Sequence, residues 1–447
     1  MKLTAQEILN ATGGTLLRGD INTLITSIST DTRTIEKNSL FVPIKGANFD
    51  GHSFLNQATE SGATLLLSQE DTEANATVIK VEDTTKALGD IARYYREKTG
   101  VKVVGITGSV GKTTTKDMVA NVLSQKYNTL KTEGNFNNHI GVPLTLFRLE
   151  EDTEVAVIEM GMNHFGEISY LTNIALPDMA IISNVGVSHI ENLGSREGIL
   201  KAKCEIFQPM DKGVKILNGD DDMLITLKGK YENIEYFSLE DTNCAIYAKN
   251  IVQKGVEGTF ATLCFPDECI DVFVPLPGIH NVSNALSAAL AGKNLGLSLE
   301  EIKKGIETFK PTKMRMDVIN TEKYTLINDV YNANPVSVKA ALDVLSGGEG
   351  EKCAILGDMF ELGDMAAQLH FEVGEYAAKK ADTLIAIGEL SENIYKGAKE
   401  CKNTYYFKTI EDFAKEYKNI LKEKSVILIK ASRGMHFEKI TDMLKGE

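Results

Sequence analysis

The sequence has little of what marks secreted, membrane-spanning or zinc-binding proteins. Its six cysteines are scattered and include no C-x-x-C pair, so we expect reduced thiols and no zinc site. The amino terminus lacks a basic segment followed by an apolar one, which is the sign of a secretory signal. No run of about 18 apolar residues is long enough to cross a bilayer. These absences predict a soluble, cytoplasmic protein.

Basic residues are also fewer than acidic residues. The 447 residues include 48 Lys and Arg against 62 Asp and Glu, a formal net charge of −14 at pH 7. A nucleic-acid partner requires a basic face that neutralises phosphates, so none is expected. Hydrophobic residues make up 43% of the chain and charged residues 25%, as in ordinary globular proteins. The length favours about three domains.

The sequence does contain a phosphate-binding pattern between residues 101 and 123, VKVVGITGSVGKTTTKDMVANVL. A β-branched apolar run predicts a buried strand, a glycine-rich turn follows, and Lys112 and Thr113 open a segment with helical spacing. Ile106 stands where the common G-x-x-x-x-G-K-[ST] pattern has its first glycine. The context predicts a nucleoside-triphosphate site, because N–H groups at a helix start bind phosphate. Lys112 would reach the outer phosphates and Thr113 would bind Mg²⁺.

Apolar runs that end in polar residues recur through the central region and predict a doubly wound α/β sheet with alternating strands and helices. Glu159 lies in VAVIEMG, and His189 follows MAIISNVG. Ligands of such sheets gather at the carboxyl ends of the strands, which makes Glu159 a candidate Mg²⁺ ligand. Histidine is an unusual magnesium ligand, so a hydrogen-bonded loop residue is the alternative for His189.

Two amide-rich stretches are candidate binding segments. The first, TEGNFNNHIGVP, contains Asn135, Asn137 and Asn138, whose amides offer donors and acceptors to a polar substrate or to phosphates. An ordered turn is the alternative. The second, PGIHNVSNA, opens a helix on which Asn281 and Asn284 lie on the same side, where they could contact an adenine edge.

The two ends of the chain carry polar loops without a catalytic constellation. Residues 30–33 and 48–52 offer hydroxyls, backbone donors and a cation to a polar ligand, although ordinary surface turns are the alternative. From about Met314 a second alternating pattern predicts another α/β sheet. Its strands end in acids, amides and bases, which suggests a face that closes on the central domain.

Taken together, these motifs resemble the ATP-dependent Mur ligases, which extend the peptide of the peptidoglycan precursor. The similar features are ITGSVGKTTT, the strand that ends in Glu159, His189, the HNVSN segment and Arg315. The family pattern T-G-[ST]-x-G-K-[ST] also explains Ile106. Within the family, GNFNNHIGVPLTL, HIENLGSREGILKAKCEIF, DVYNANPVS and LGDMFELGDMAAQLH resemble the members that add D-alanyl-D-alanine. The D-N-P-R motif of the diaminopimelate-adding members is absent, and Ala431 replaces a usual glycine.

The resemblance implies a three-domain α/β fold. A UDP-sugar-binding domain would span residues 1–99, and a central ATP-binding P-loop domain with a doubly wound, mostly parallel sheet would span 100–313. A Rossmann-like ligase domain would span 314–447. The implied activity is ATP-dependent formation of a C–N bond between UDP-N-acetylmuramoyl-tripeptide and D-alanyl-D-alanine through an acyl phosphate. This reaction would be the last cytoplasmic peptide addition in peptidoglycan precursor synthesis, and we expect a monomer.

The resemblance also implies roles for particular residues. The catalytic residues would be Lys112, Glu159, His189 and Lys203. Two Mg²⁺ ions would be bound by Thr113, Glu159, His189 and Lys203, the last as a carbamate. Residues of the phosphate loop and of later segments would contact ATP: Thr107, Gly108, Ser109, Val110, Gly111, Lys112, Thr113, Thr114, His280, Asn281, Asn284, Arg315 and Asp329. The other substrates would be contacted by Thr32, Lys45, Asn48, Asp50, His52, Asn135, Asn137, Asn138, Tyr331, Asn332, Asn334, Ser432 and Arg433.

Two alternatives stay open on the sequence. One is another ligase of the same fold, such as a diaminopimelate- or lysine-adding Mur ligase or a folylpolyglutamate synthase. The other is a P-loop ATPase that works as a switch or a kinase-like protein. The third residue of the tripeptide, diaminopimelate or lysine, and the tolerance of D-alanyl-D-lactate are open as well.

Overall fold

The computed structural model describes residues 1–46, 49–210 and 212–446. The chain divides into two compact units. The first contains Met1–Thr107, Tyr127–Ala180 and Cys204–Val214, and the second contains Gly108–Lys126, Ile181–Lys203 and Lys215–Glu447. Among the described residues, no helix is both long enough and apolar enough to span a bilayer.

The first hundred residues form a small α/β layer within the first unit. Four parallel strands in the order β7-β6-β5-β4 carry an antiparallel edge strand, β2, and a separate pair joins β1 and β3. The last helix ends at Gly100, whose φ of +65° suits a residue without a side chain. The elements are β1 (Leu3–Thr4), α1 (Ala5–Thr12), β2 (Thr15–Arg18), β3 (Leu24–Ile25), β4 (Ser27–Ser29), β5 (Ser39–Phe41), α2 (Leu55–Glu60), β6 (Ala63–Ser68), β7 (Thr77–Lys80) and α3 (Thr84–Thr99).

The central region contributes elements to both units. They are β8 (Lys102–Thr107), α4 (Lys112–Leu123), β9 (Thr129–Lys131), α5 (Gly141–Leu146), β10 (Val155–Glu159), α6 (Glu167–Ala175), β11 (Met179–Ile182), α7 (Ile190–Leu193), α8 (Arg196–Cys204), β12 (Val214–Asn218), β13 (Ile234–Ser238), β14 (Ile246–Gln253), β15 (Thr259–Cys264), β16 (Cys269–Val274), α9 (Ile279–Asn294) and α10 (Leu299–Glu307). In the first unit β8, β10 and β9 pair in parallel. In the second unit β12, β13 and β14 are parallel, and β15 and β16 continue antiparallel.

The run β13 to β16 corrects one expectation. Strand and helix were predicted to alternate through the central region, yet these four strands follow one another without a helix between them. Antiparallel strands need only short turns, whereas parallel ones need a long crossover. The prediction missed the short connection between the parallel strands β13 and β14 and the change to hairpins after Gln253, where β14 ends.

The last third forms a six-stranded sheet within the second unit. The strand order is β17-β18-β22-β19-β20-β21, and every neighbouring pair is parallel except β17 and β18. Apolar clusters cover both faces, as a parallel sheet requires. The elements are β17 (Asp317–Asn320), β18 (Tyr324–Asn328), α11 (Pro335–Ser346), β19 (Lys352–Gly357), α12 (Ala366–Ala378), β20 (Thr383–Ile387), α13 (Glu392–Gly397), β21 (Asn403–Phe407), α14 (Ile410–Ile420), β22 (Ser425–Lys430) and α15 (Glu438–Lys445).

The expectation that all cysteines are reduced was wrong for one pair. Cys264 ends β15 and Cys269 begins β16; the two lie directly opposite each other and form a disulfide, with 4.1 Å between their Cα atoms. The sequence hid this pairing because the hairpin was not recognised. The other four cysteines are free thiols: Cys204, Cys244, Cys353 and Cys401.

A buried arginine in α3 bonds this helix to another segment of the first unit. The Arg96 guanidinium donates hydrogen bonds to the carbonyls of Ala175 and Leu176, at 3.1 Å each, and to the Asp178 carboxylate at 3.0 Å. Buried carbonyls and a charge are thereby satisfied together. The helix that closes the first hundred residues is therefore packed against the loop that follows α6.

Candidate active site

The phosphate loop has the strand–turn–helix context that the sequence predicts. β8 ends at Thr107 and α4 begins at Lys112. Two glycines of the loop are required for different reasons. Gly111 has a φ of +82°, which side chains rarely tolerate. At Gly108 a Cβ atom would lie 2.0 Å from the Ser183 hydroxyl oxygen, so any side chain would push the loop away.

Asn184 holds the loop in shape. Its Oδ1 accepts a hydrogen bond from the Val110 N–H at 2.9 Å, and its Nδ2 donates to the Val110 carbonyl at 2.8 Å. Its own carbonyl accepts from the Ser109 N–H at 3.1 Å. The hydroxyl of Ser183 also donates to the Val110 carbonyl, at 2.8 Å. Asn184 was not predicted, although polar residues directly after the apolar run MAII were the available signal.

Lys112 and Thr113 occupy the first turn of α4. The Lys112 Nζ donates to the Gly108 carbonyl at 2.9 Å, so the cation lies against the loop that precedes it. Thr113 is buried, with 5% of its surface exposed. Both residues are thus placed beside the backbone N–H groups that bind phosphate in loops of this kind.

Lys203 is a buried amine near this cation. It lies in α8 and only 2% of it is exposed. Burial holds the pKa of the Lys203 amine well below its usual range; the charge of Lys112 lowers it further, and Asp221 opposes the shift. A neutral amine is the form that can add CO₂, and the lowered pKa favours that form. This environment fits a carbamate.

His189 pairs with a carboxylate from the last third of the chain. Its Nδ1 lies 2.8 Å from Oε2 of Glu361, and both residues have left-handed backbone conformations, with φ of +62° and +64°. The imidazole lowers the pKa of the Glu361 carboxyl, and burial opposes this shift. Glu361 lies in the motif LGDMFELGD, but the sequence analysis gave it no role.

Glu159, in the first unit, has one carboxylate oxygen occupied and one without a partner. Its Oε1 accepts from the Asn137 amide at 2.8 Å, and its N–H donates to the Thr132 hydroxyl at 3.0 Å. Its Oε2 is buried and has no hydrogen-bond partner among the described residues. A buried polar atom in that state requires an explanation, and a cation would supply one.

Asn138 and Asn135, the other two predicted asparagines of this stretch, lie in different surroundings from Asn137. Asn138 accepts hydrogen bonds from the N–H groups of Ile140 and Gly141, at 3.2 and 2.8 Å, and so holds the turn that precedes α5. Asn135 is exposed. The structure therefore gives the three predicted asparagines three different surroundings.

The amides on α9 form a chain that reaches the phosphate-loop helix. Asn284 Oδ1 accepts from the Thr115 hydroxyl at 3.0 Å, and Asn284 Nδ2 donates to Asn281 Oδ1 at 3.0 Å. Asn281 Nδ2 donates to the Pro277 carbonyl at 2.7 Å. The shared helix side is confirmed. Burial lowers the pKa of the neighbouring His280 imidazole.

Asp329 is held by a lysine that the sequence analysis missed. Lys430 Nζ lies 2.5 Å from Asp329 Oδ2 and donates to the Asn332 carbonyl at 2.9 Å. The Arg315 guanidinium lies over the ring of Tyr331, 3.9 Å from its centroid, at cation–π distance. Lys430 lies at the end of the apolar run VILIK. A polar residue at the end of such a run was also the available signal for Asn184.

The remaining predicted residues of the last third shape loops. Asn334 Oδ1 accepts from the Ser337 N–H at 2.9 Å and caps α11, while its Nδ2 donates to the Ser188 hydroxyl at 3.0 Å. Ser432 is 3% exposed, and its Oγ accepts from the Phe360 N–H at 2.9 Å. Arg433 is exposed and lies 3.4 Å from a carboxylate of α15.

In the first hundred residues the predicted binding residues line a turn. The Asp50 carboxylate lies 2.7 Å from His52 Nδ1 and 3.5 Å from Lys45 Nζ. His52 Nε2 accepts from the Gln69 N–H at 3.1 Å. Thr32 is half-buried at the start of a separate 3₁₀-helix, Thr32–Thr34. Asn48, also predicted, lies outside the described residues.

Comparison with known proteins gives one family throughout. The model of the Mur ligase family, catalytic domain, matches residues 24–96; the Mur ligase middle domain matches 106–292; and the Mur ligase, glutamate ligase domain, matches 314–433. The UDP-N-acetylmuramoyl-tripeptide–D-alanyl-D-alanine ligase of Bacillus subtilis (strain 168) is 40% identical over 98% of each chain.

The chain belongs to the Mur ligase family.

Solved structures agree with this membership. Crystal structure I of MurF from Acinetobacter baumannii has a TM-score of 0.94 and 34% identity, and the match covers 100% of this chain and 99% of that one. MurF from Thermotoga maritima in complex with ADP has a TM-score of 0.86 and 28% identity, over 94% and 97% of the two chains. The predicted three-domain α/β Mur ligase fold is confirmed, whereas the residue roles and the domain boundaries stay predictions.

Replacing Asn184 should weaken nucleotide binding while the fold is kept. Asn184→Ala removes both side-chain bonds to Val110, which we expect to lower the affinity for ADP roughly tenfold or more. Asn184→Asp keeps an acceptor for the Val110 N–H and should lose less than alanine. Titration calorimetry measures the change, and Asn294→Ala at the end of α9 is the control. Wild-type affinity in a folded Asn184→Ala variant would contradict the role of Asn184.

Proposed function

We propose that this Mur ligase joins D-alanyl-D-alanine to UDP-N-acetylmuramoyl-tripeptide in the cytoplasm, acting as a monomer and using ATP. The observation that carries the proposal is the 40% identity, over 98% of both chains, to a relative named for that reaction. The phosphate loop and the buried Lys203 support an ATP-driven acyl transfer. The relative from T. maritima, whose structure contains ADP, supports a nucleotide in this loop.

The proposed reaction has two bond-forming steps. An oxygen of the tripeptide's terminal carboxylate attacks the γ-phosphorus of ATP, and ADP leaves. The amine of D-alanyl-D-alanine then attacks the acyl carbon of the acyl phosphate. Inorganic phosphate leaves with the attacking carboxylate oxygen, and the amine loses a proton as the amide forms.

The chief barrier to the first step is electrostatic, because a carboxylate approaches a triphosphate. The backbone N–H groups of the loop and the Lys112 ammonium would offset that repulsion. The acyl phosphate must then be kept from water. Loops at the carboxyl ends of β18, β19 and β22 would cover it if the last third closes over the site.

Mg²⁺ is the metal that the site residues fit. The proposed ligands of two ions are Thr113, Glu159, His189 and Lys203, the last as a carbamate. Bound Mg²⁺ would supply positive charge to the phosphates. In the described chain no group of three or more His, Cys, Asp or Glu is arranged to bind a metal; Mg²⁺ commonly keeps several waters and binds substrate phosphates.

The remaining roles are proposed on family resemblance. Residues of the phosphate loop, with His280, Asn281, Asn284, Arg315 and Asp329, would contact ATP. The UDP-sugar would be bound in the first hundred residues by Thr32, Lys45, Asn48, Asp50 and His52. The peptide and the dipeptide would be contacted by Asn135, Asn137, Asn138, Tyr331, Asn332, Asn334, Ser432 and Arg433. The proposed domains span 1–99, 100–313 and 314–447.

Phosphate release with combinations of substrates tests the proposed reaction. Release should require both UDP-N-acetylmuramoyl-tripeptide and D-alanyl-D-alanine, and single amino acids should not replace the dipeptide. Lys112→Ala should lower the rate by about a hundredfold or more, whereas Lys102→Ala, at the exposed start of β8, should leave it unchanged. Both tripeptide forms are assayed, which decides between diaminopimelate and lysine.

Two results of that assay would contradict the proposal. Slow ATP hydrolysis that neither substrate stimulates would favour a P-loop switch. Phosphate release driven by glutamate, lysine or diaminopimelate alone, with the matching acceptor, would favour another ligase of the same fold.

Lys203→Ala should abolish activity, and a short carboxylic acid such as acetate or propionate should partly restore it. The added carboxylate would replace the carbamate oxygens in the space that the lysine leaves. Initial rates of phosphate release measure both effects, and Lys201→Ala, two residues earlier on the same helix, is the control. An active Lys203→Ala variant, or an inactive one that no carboxylic acid rescues, would contradict the carbamate.

A further inference from the structure

One buried ion pair of α4 takes no part in the proposed reaction. Lys116 Nζ lies 3.1 Å from Asp117 Oδ1, and the two residues are 2% and 5% exposed. A buried ion pair is weak evidence for stability, because both charges lose their water on burial. The pair lies in the second turn of the helix that begins at Lys112. Its contacts, rather than its contribution to stability, indicate what it does.

The Asp117 carboxylate binds the segment that follows α10. The Thr312 hydroxyl donates to Asp117 Oδ2 at 2.5 Å, a length typical of a hydrogen bond to an ionised carboxylate. One turn later in α4, the Asn121 amide donates to the Gly305 carbonyl at 2.6 Å and to the Thr308 hydroxyl at 3.2 Å. Residues four apart lie on the same side of a helix. One side of α4 therefore binds both the end of α10 and the segment after it.

Thr312 joins this helix to Arg315, which is a proposed contact of ATP. The Thr312 carbonyl accepts a hydrogen bond from the Arg315 N–H at 3.1 Å, while the Thr312 hydroxyl is bonded to Asp117. A single residue therefore links a buried carboxylate of the phosphate-loop helix to the backbone of Arg315.

The backbone on both sides of Arg315 is strained. Met314 and Met316 have φ of +64° and +48°, conformations that cost energy in residues with a side chain. The Met316 N–H donates to Asp329 Oδ1 at 3.2 Å, and the Met314 carbonyl accepts from the Tyr331 N–H at 3.3 Å. Such a turn keeps its shape only while the surrounding bonds hold it. Loss of an anchor should therefore move Arg315.

We propose that Asp117 and Thr312 are positioning residues for Arg315. The helix that places Lys112 at the phosphate loop also sets, through these two residues, the place of a second cation. Both cations are then ordered relative to one rigid element, which reduces the entropy lost when a nucleotide binds. This inference rests on the proposed function, in which Arg315 contacts ATP.

Substitution of Thr312, which is exposed, tests the inference and leaves the buried ion pair intact. Affinity for the non-hydrolysable ATP analogue AMPPNP is measured by titration calorimetry with Mg²⁺ present. Thr312→Val removes the hydroxyl and should weaken binding about fivefold, whereas Thr312→Ser keeps the hydroxyl and should lose less. Thr308→Val is the matched control, because it removes another exposed hydroxyl that is bonded to α4, and it should leave the affinity unchanged.

A double-mutant cycle separates positioning from general loss of structure. In an Arg315→Ala background, Thr312→Val should cause no further loss, because the side chain that it positions is gone.

Three results would overturn the inference and leave the proposed reaction standing: wild-type affinity in Thr312→Val, an equal loss in Thr308→Val or Thr312→Ser, or a full fivefold loss in the Arg315→Ala background. Wild-type affinity in Arg315→Ala would overturn both the inference and the proposed ATP contact of Arg315. The proposed reaction is judged separately, by the substrate dependence of phosphate release.

Discussion

Anion binding by backbone N–H groups works only if the loop that carries them keeps one shape. In this ligase the shape depends on Asn184, which satisfies both the N–H and the carbonyl of Val110, and on Gly108, which leaves room for the Ser183 hydroxyl. A loop fixed in advance loses little entropy when a phosphate binds. Lys112 and Thr113 can be useful only because this frame places them.

Two of the proposed site residues, Glu159 in the first unit and Lys203 in the second, carry polar groups that are buried. Burial holds the pKa of the Lys203 amine well below its usual range, and Glu159 has a buried oxygen with no hydrogen-bond partner in the described chain. Burial of polar groups in such states costs stability. In a site for cations and highly charged substrates, this loss of stability is present before the ligands bind and is offset when they bind.

The sequence predicted the local structure of the phosphate loop well, because strand, glycines and helix leave separate marks there. It also predicted the parallel sheet of the last third from its apolar runs. Contacts between residues distant in the chain were not predictable in the same way. Asn184, Glu361 and Lys430 each act on a partner at least 70 residues away, and no spacing rule connects them.

Two errors came from one cause. The change from parallel strands to hairpins after β14 was missed, so the cross-strand pair Cys264 and Cys269 was read as two scattered thiols. The motif LGDMFELGD was noticed, as were strands of the last third that end in bases, but the residues in them could not be ranked. A carboxylate or an amine after a strand can contact substrate or bond to another residue of the chain, and the sequence does not distinguish the two.

The fate of one oxygen atom tests the proposed chemistry most directly. Tripeptide substrate labelled with ¹⁸O in its terminal carboxylate is converted with ATP and D-alanyl-D-alanine, and the released phosphate is examined by mass spectrometry. An acyl phosphate requires one ¹⁸O atom to appear in each phosphate. Phosphate without label, formed together with the amide product, would contradict activation of the carboxylate by ATP.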